Sequence, residues 1–505
     1  MTVEIKNQQN RIKLSELNDK ELLKLILHLY DNKKFEEVVR ITNKIFLKTS
    51  DQYWIHFLKG SSLYDLGSYE EAIVDFKKCL EINPNSADSC FKLGNIYQNT
   101  KKIHEAETYY NLAISKKENY VEAIANLGKL YKDIGDFERS REYLEKAIEI
   151  NPKFPRAFNF LGSLADAQND IKNAEKFYKK AIYLNSSYDE PIYNLALVQL
   201  YDCQFKEGFK NHDYRWKISS FAKKKLHTNQ PVWSPSKNNN NHLTIWPEQG
   251  IGDYILYSRF FNDIIHETKN FTVVVHEKTK ALFERSFPHI NFVTEINTGN
   301  IDYHLPIGDL AKFYVNSLND IKKRSDIYLK VDKNRSNMIK GILPKGKKIC
   351  GISWISKNES LGKNKSITLE DMKDLLMLPN ITFVDLQYTD TTEERNEFKN
   401  KYSIEILKFD EIDNFNDIDG LASLIDACDF VVSVSNTTVH IAGSIGKKTY
   451  LMLPNNRGKL WYWSKENAQS IWYKSIQIFE RNKSDSWKNL IQKIIKKLEK
   501  GNLCT

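Results

Sequence analysis

Two short stretches carry residue types whose spacing can do chemistry. In VVSVSNTTVHIAGSIG, residues 431–446, a short β-branched apolar run at 430–434 stops at Ser435 and Asn436, and a helix-like pattern follows from Thr438. Ser435 and Asn436 can cap that helix. A helix start offers unpaired backbone N–H groups and the positive end of its dipole, for which a diphosphate is a natural ligand. Ser435, Asn436, Thr437, Thr438 and, one turn in, His440 therefore read either as an anion site or as a capped helix with a packing histidine. In WPEQGIGD, residues 246–253, Gly250 and Gly252 allow a tight turn, or close approach of another backbone, just before a helix. Asp253 at that start is either a dipole-compensating cap or a general base on a cleft rim, with Glu248 and Gln249 beside it. A dinucleotide fingerprint would need glycine at 255, where Ile255 stands, so no dinucleotide site is expected.

Both stretches need strands to position them, and the second half of the chain supplies the pattern. Strands are expected at 242–246, 271–276, 348–354, 381–386, 404–409, 430–434 and 449–453, with helices at 253–265, 277–287, 369–376, 418–427 and 438–445. This alternation means parallel sheets covered on both faces, and in such sheets ligands sit at the carboxyl ends of strands. The Lys-rich stretch 330–347 reads as a hinge between two sheets. Residues 487–500 read as a basic amphipathic helix packed back on a sheet.

The first half is different. Phe35, Tyr69, Ile103, Phe137, Ile171 and Phe205 recur every 34 residues, in step with Gly60, Gly94, Gly128, Gly162 and Ala196. Ala72, Ala106, Ser140, Ala174 and Gly208 keep a small residue at a fixed offset, as close helix crossings require. A 34-residue unit of two helices is the tetratricopeptide period, and blocks such as LGKLYKDIGDFERSREYLEKAIEINPK resemble that family. Stacked units of this kind form a superhelix whose groove binds a peptide or protein, docks a second domain, or serves only as scaffold. The repeats give way to a basic, Pro-containing stretch and KNNNN at 237–241, a turn-rich linker.

The 505 residues exceed one ordinary core, and 41% hydrophobic with 28% charged residues describes a globular chain. No apolar run approaches the roughly 20 residues of a membrane helix, and the amino terminus has no apolar secretion core, so a cytoplasmic protein is expected, with peripheral membrane contact left open. Six cysteines without a C-x-x-C pair argue against both disulfides and zinc. A net charge of +9 favours polyanions only slightly, and nothing points to nucleic acid.

The second half also resembles a family. EQGIGDYILYSRFF, SLGKNKSITLEDM, FVDLQ, DIDGLASLIDACDFVVSVSNTTVHIAGSIGKKTYLMLP and the Trp-rich LWYW with SIWYKSIQIFERNKSDSW look like the glycosyltransferase domain that follows tetratricopeptide repeats in many bacterial proteins. That domain is similar to the ADP-heptose lipopolysaccharide heptosyltransferases and, more distantly, to O-linked N-acetylglucosamine transferase. The resemblance implies a GT-B architecture, two Rossmann-like domains with a nucleotide-sugar between them, and inverting, metal-independent transfer to a protein or glycan acceptor. No cofactor is implied beyond the nucleotide-diphosphate sugar as co-substrate.

On this reading Gly252-Asp253 matches the motif whose Asp is the base, Lys365 matches a phosphate-contacting lysine, and Ser435 to His440 align with a D-T-G-x-x-H diphosphate motif. Ser435 stands there for Asp and Thr437 for Gly, although Ser, Asn and Thr can still donate hydrogen bonds to an anion. Glu248, Gln249, Gly250 and Gly252 form the acceptor rim, and Trp354 and Gln387 are further cleft candidates. No metal ligands are clustered; Asp417, Asp419, Asp426 and Asp429 read as caps and solvation of helix 418–427.

The implied organisation is an extension at 1–18, repeats at 19–216, a linker at 217–241, an acceptor half at 242–335, a nucleotide-sugar half at 345–483 and a terminal helix at 484–505. A non-catalytic adaptor with a degenerate transferase half is the alternative.

Overall fold

The computed structural model describes residues 4–6, 11–13, 17–44, 52–235, 241–297, 299, 301–357, 362–454, 460–481 and 486–501. Most of the KNNNN linker, Ser360 and Leu361 of the SLGKNK motif, much of the amino-terminal extension and Cys504 lie outside these residues. The chain divides into two compact units, Met1–Leu164 with Lys180–Ser186, and Ala165–Lys179 with Ser187–Thr505.

The first unit opens with a short antiparallel hairpin, β1 (Glu4–Lys6) and β2 (Arg11–Lys13). Helix pairs follow, and in each the second helix starts on a member of the 34-residue series: Phe35–Thr42, Tyr69–Ile82, Ile103–Lys116 and Phe137–Ile150. The residue two positions earlier repeats too. Lys33, Gly67, Lys101, Gly135, Asn169 and Cys203 all have positive φ, so one left-handed turn joins the helices of every pair along the chain. The periodic glycines make room for the partner helix. A Cβ on Gly94 would meet the Tyr110 ring at 2.6 Å, and one on Gly128 would meet Leu144 at 2.8 Å.

The second unit holds two sheets, the smaller all parallel and the larger parallel except for two antiparallel pairings at one edge. The smaller is built from β3 (Leu243–Trp246), β4 (Phe271–Val274), β5 (Asn291–Val293) and β6 (Tyr303–Pro306), in the order β5-β4-β3-β6. The larger contains β7 (Lys348–Ser353), β8 (Ile381–Asp385), β9 (Ile406–Leu407), β10 (Phe430–Val434), β11 (Thr449–Leu453), β12 (Lys465–Glu466), β13 (Gln469–Ser470) and β14 (Ile476–Glu480). Its order is β12-β13-β14-β11-β10-β7-β8-β9. Along β10, Phe430, Val432 and Val434 join one core cluster with Leu490 and Ile494 of helix Trp487–Lys500, while Val431 joins the other with Leu421 and Ile425. Both faces of the strand are buried, so its sequence is continuously apolar and not alternating.

Several elements differ from expectation. Helix 253–265 is two helices, Ile251–Ser258 and Phe261–Glu267, and the break sits at Arg259, whose Nη1 donates to the Trp472 carbonyl at 2.7 Å. Only Lys373–Leu376 of 369–376 is α-helical; Thr368 and Asp371 bond each other's backbone N–H groups as a capping box does, and turns run from there into the helix. The stretch 330–347 is no bare hinge: Asp332 caps helix Lys333–Ile342, which buries Ile339. The smaller sheet packs its helices against Leu243, Ile245 and Val273, whereas on the other face Thr244, Thr272 and Asn291 line an open cavity of about 580 Å³. The last helix pair, Asp189–Tyr201 and Phe205–His212, belongs to the second unit. Phe205 and Phe209 are buried in its core, with ring centroids 6.4 Å from Trp472 and 5.8 Å from Trp461.

Candidate functional site

In both sheets the strand ends carry the candidate residues. Strand β3 ends at Trp246 and leads through Glu248, Gln249 and Gly250 into helix Ile251–Ser258, with Asp253 in its first turn. Strand β10 ends at Val434 and leads through Ser435 and Asn436 into helix Thr437–Ser444. These two helices touch: a Cβ on Gly252 would lie 2.8 Å from His440 Cδ2. Only glycine permits that approach, and it brings the rims of the two sheets together.

His440 is the pivot of this contact. Its ring is buried, with centroids 4.9 Å from Trp463, 5.2 Å from Tyr462 and 5.9 Å from Tyr473, and its Nδ1 is 3.0 Å from the Tyr473 hydroxyl. Burial, with the nearby Lys365 ammonium adding to it, lowers its pKa to about 3. Burial thus favours the neutral imidazole, which joins the rims.

Asp253 and Lys365 are close enough for each to act on the other's charge. Asp253 is partly exposed by its surface, yet the surrounding protein raises its carboxyl to about 6, with the Lys365 ammonium opposing the rise. Lys365 closes the short helix Gly362–Lys365 and is 2% exposed. Burial lowers its pKa to about 8, and Asp253 opposes that shift. Among the described residues no carboxylate lies within ion-pair distance of its ammonium. A buried ammonium that no described carboxylate contacts is expensive to maintain, and such groups concentrate where a ligand supplies further charge.

The remaining residues of the β10 turn divide into supports and free groups. Ser435 Oγ accepts from Trp463 Nε1 at 2.8 Å. Asn436 Oδ1 caps the Thr438 N–H at 3.1 Å, and its Nδ2 donates to Ser353 Oγ at 2.6 Å and to the Ile355 carbonyl at 3.2 Å. The amide is thus committed to holding the helix start against β7. Thr438 Oγ1, by contrast, is buried with no hydrogen-bond partner, and Thr437 is partly exposed beside it. Trp354 and Gln387, expected as cleft residues, are fully buried supports. Gln387 Oε1 accepts from the Trp354 and Ile355 N–H groups at 3.0 and 2.9 Å, and Trp354 Nε1 donates to Glu394 at 2.9 Å.

Glu248 sits in a network that spacing could not disclose. Arg215, fully buried, donates from Nη2 to Glu248 Oε1 at 3.0 Å and to Asp309 Oδ1 at 2.5 Å. Its Nη1 lies 3.2 Å from His212 Nδ1, which must accept because a guanidinium only donates. Burial opposes the Arg215 charge, but Asp309 and Glu248 outweigh it. Burial raises Glu248 to about 8 and raises Asp309, with Arg215 opposing both. Burial thus disfavours the charged form of both carboxyls, and the Arg215 guanidinium between them favours it.

Asp417, Asp419, Asp426 and Asp429 are engaged elsewhere, with Arg335, Arg285, Lys333 and the Ile349 N–H respectively. Among the described residues no three His, Cys, Asp or Glu side chains group as metal ligands do. The 580 Å³ cavity contains none of the expected site residues.

Comparison with known proteins defines the class of the first half. Models of the tetratricopeptide repeat match residues 60–101 and, separately, 87–120, 121–154 and 155–188, so the chain carries tetratricopeptide repeats. Protein FlbA of Caulobacter vibrioides is 25% identical over 279 residues, 50% of this chain and 46% of that protein. A TPR repeat-containing protein of Methanocaldococcus jannaschii is 32% identical over 79 residues, 15% of this chain and 14% of its own length. The chain thus spans less than half the length of these curated relatives. Among solved structures, a thermophilic TPR protein of Thermus thermophilus has 19% identity and a TM-score of 0.30 over 32% of this chain and 88% of its own. MamA of Desulfovibrio magneticus has 22% identity and a TM-score of 0.29 over 34% and 98%.

Proposed function

We propose that the second unit is an inverting, nucleotide-sugar-dependent glycosyltransferase of the GT-B kind, and that the tetratricopeptide repeats recruit its protein or glycan acceptor. The observation that carries this reading is the pairing across the Gly252–His440 contact. On one rim stands a carboxyl raised to about 6; on the other stand a buried ammonium with no carboxylate within ion-pair distance among the described residues, and a buried hydroxyl without a hydrogen-bond partner beside a helix start. Such a set suits displacement at an anomeric carbon. The acceptor hydroxyl oxygen attacks that carbon while the bond to the diphosphate oxygen breaks, and the leaving group takes the electron pair. Lys365, Thr438 Oγ1 and the start of helix Thr437–Ser444 stabilise the charge that develops there, which is where preorganised donors act most strongly. Asp253 takes the proton lost by the acceptor. Ser435, Asn436 and His440 hold the donor side in place, and Glu248 shapes the acceptor side.

Titration calorimetry of Lys365→Ala with a panel of nucleosides and their diphosphates tests the donor side. The diphosphates are expected to lose ~1.5–3 kcal/mol of binding, the worth of a charge-assisted contact, while bare nucleosides change little. Equal losses for both would place Lys365 outside the site, and no diphosphate binding by the parent chain would remove the transferase reading.

A further inference from the structure

The run Lys223, Lys224 and Lys225, expected as part of the linker at 217–241, belongs to a segment held at both ends. Upstream, the ring of Phe221 lies 5.5 Å from that of Tyr193 on helix Asp189–Tyr201. Downstream, Trp233 is buried, its ring 5.6 Å from Phe313, and its N–H donates to the His304 carbonyl at 2.9 Å. The His304 N–H in turn donates to the Pro231 carbonyl at 3.1 Å, so the segment runs along edge strand β6, whose end leads to Asp309. The Tyr193 ring in turn lies 5.8 Å from the His212 ring, which contacts Arg215, the partner of Glu248, so the run follows a residue packed on the Glu248 network of the acceptor rim.

Its electrostatic state differs from that of its neighbours. Arg215 is paired with Glu248 and Asp309, Lys217 with Asp189 and Lys312 with Asp213. Lys223, Lys224 and Lys225 are exposed, and among the described residues none has a carboxylate within ion-pair distance. An exposed lysine run free to move is ordinarily just solvated. Three adjacent cations without a carboxylate partner, on a segment held at both ends, form a patch that focuses anionic ligands.

We propose that Lys223, Lys224 and Lys225 form a docking ridge for an acidic polypeptide segment of the acceptor, which delivers that segment to the rim beside Asp253. This rests on the transferase reading for the word acceptor, but the ridge itself binds without catalysis. A polypeptide is favoured over other polyanions because the preceding repeats are of a protein-binding type. Attraction of this kind acts through exposed charges and so weakens as salt screens it.

The test uses the full chain and its Lys223→Gln/Lys224→Gln/Lys225→Gln variant. A labelled Glu/Ser peptide and the matching Gln/Ser peptide are compared by fluorescence anisotropy at low and high salt, with phosphatidylserine vesicles as a separate arm. The parent is expected to prefer the Glu peptide, to lose that preference at high salt, and to bind it roughly tenfold more tightly than the variant, as three exposed ion pairs allow. Melting curves and diphosphate binding are expected to match between the two proteins. Equal peptide binding by parent and variant, or lysine-dependent binding of vesicles without peptide, overturns the ridge. Peptide binding without any diphosphate binding keeps the ridge and removes the transferase.

Discussion

Replacing Gly252 with Ala tests the junction on which the site depends, because two effects of opposite sign meet there. In a helix interior alanine is favoured over glycine by roughly 0.5–1 kcal/mol, and less in a first turn. Against this, the new methyl would sit 2.8 Å from His440 Cδ2 and 3.3 Å from Nε2, distances that force something to shift. The ring has little freedom to give way, being enclosed by Trp463, Tyr462 and Tyr473 and tied to the Tyr473 hydroxyl at 3.0 Å. Overpacking of this kind costs about 1–3 kcal/mol, so the net expectation is destabilisation by about 1–2 kcal/mol, or a few degrees in melting temperature. Because the methyl would shift the first turn that carries Asp253 against the helix that carries His440, transfer should fall further than donor binding. Calorimetric melting beside binding and turnover of the same variant measures all three. A variant that melts at or above the parent temperature and transfers at the parent rate would show that the rims do not depend on this contact.

Two further perturbations address the donor side and the proton. Thr438→Val removes the buried hydroxyl that has no partner while keeping its shape. It should leave stability unchanged or raise it, and weaken diphosphate binding by ~0.5–1.5 kcal/mol; lower stability with unchanged binding would assign the hydroxyl to the fold. The pH profile of kcat/KM should be bell-shaped. Activity is lost below about 6 as Asp253 protonates and above about 8 as Lys365 loses its proton, and Lys365→Arg should move only the alkaline limb. The sign for stability is opposite on the acid side. The folded Asp253 holds its proton up to about 6 whereas the unfolded carboxyl releases it near 3.8, so this group lowers stability as pH rises between those values, which melting across that window reads out.

Local signals carried much of the architecture. Phe430–Val434, Thr449–Leu453, Ile418–Ala427 and Trp487–Lys500 fall where an apolar run or amphipathic period meets a cap, and the 34-residue period marks the start of each second helix. Short polar elements were not legible. Strands β5 and β6 are three and four residues long and are recognisable only by their partners β4 and β3. The Arg215 network joins residues 33 and 94 positions apart, beyond any periodicity. Neither the neutral state of His440 nor the commitment of Asn436 to β7 has a local signature, because each follows from packing between the two sheets. The left-handed turn did leave a trace, small or polar residues two positions before each phase residue, but four of its six members are not glycine.

Asp253→Asn tests the central claim most directly, since it keeps the side chain's size and capping ability and removes its basicity. Steady-state transfer to an identified acceptor should fall by roughly 10²–10⁴-fold with donor affinity nearly unchanged. Its melting temperature should stay at or above that of the parent, because a carboxyl that burial holds at about 6 is disfavoured in its charged form. A variant that melts normally and still transfers sugar at close to the parent rate would contradict the account, and Glu248 on the same rim would become the next candidate for the base.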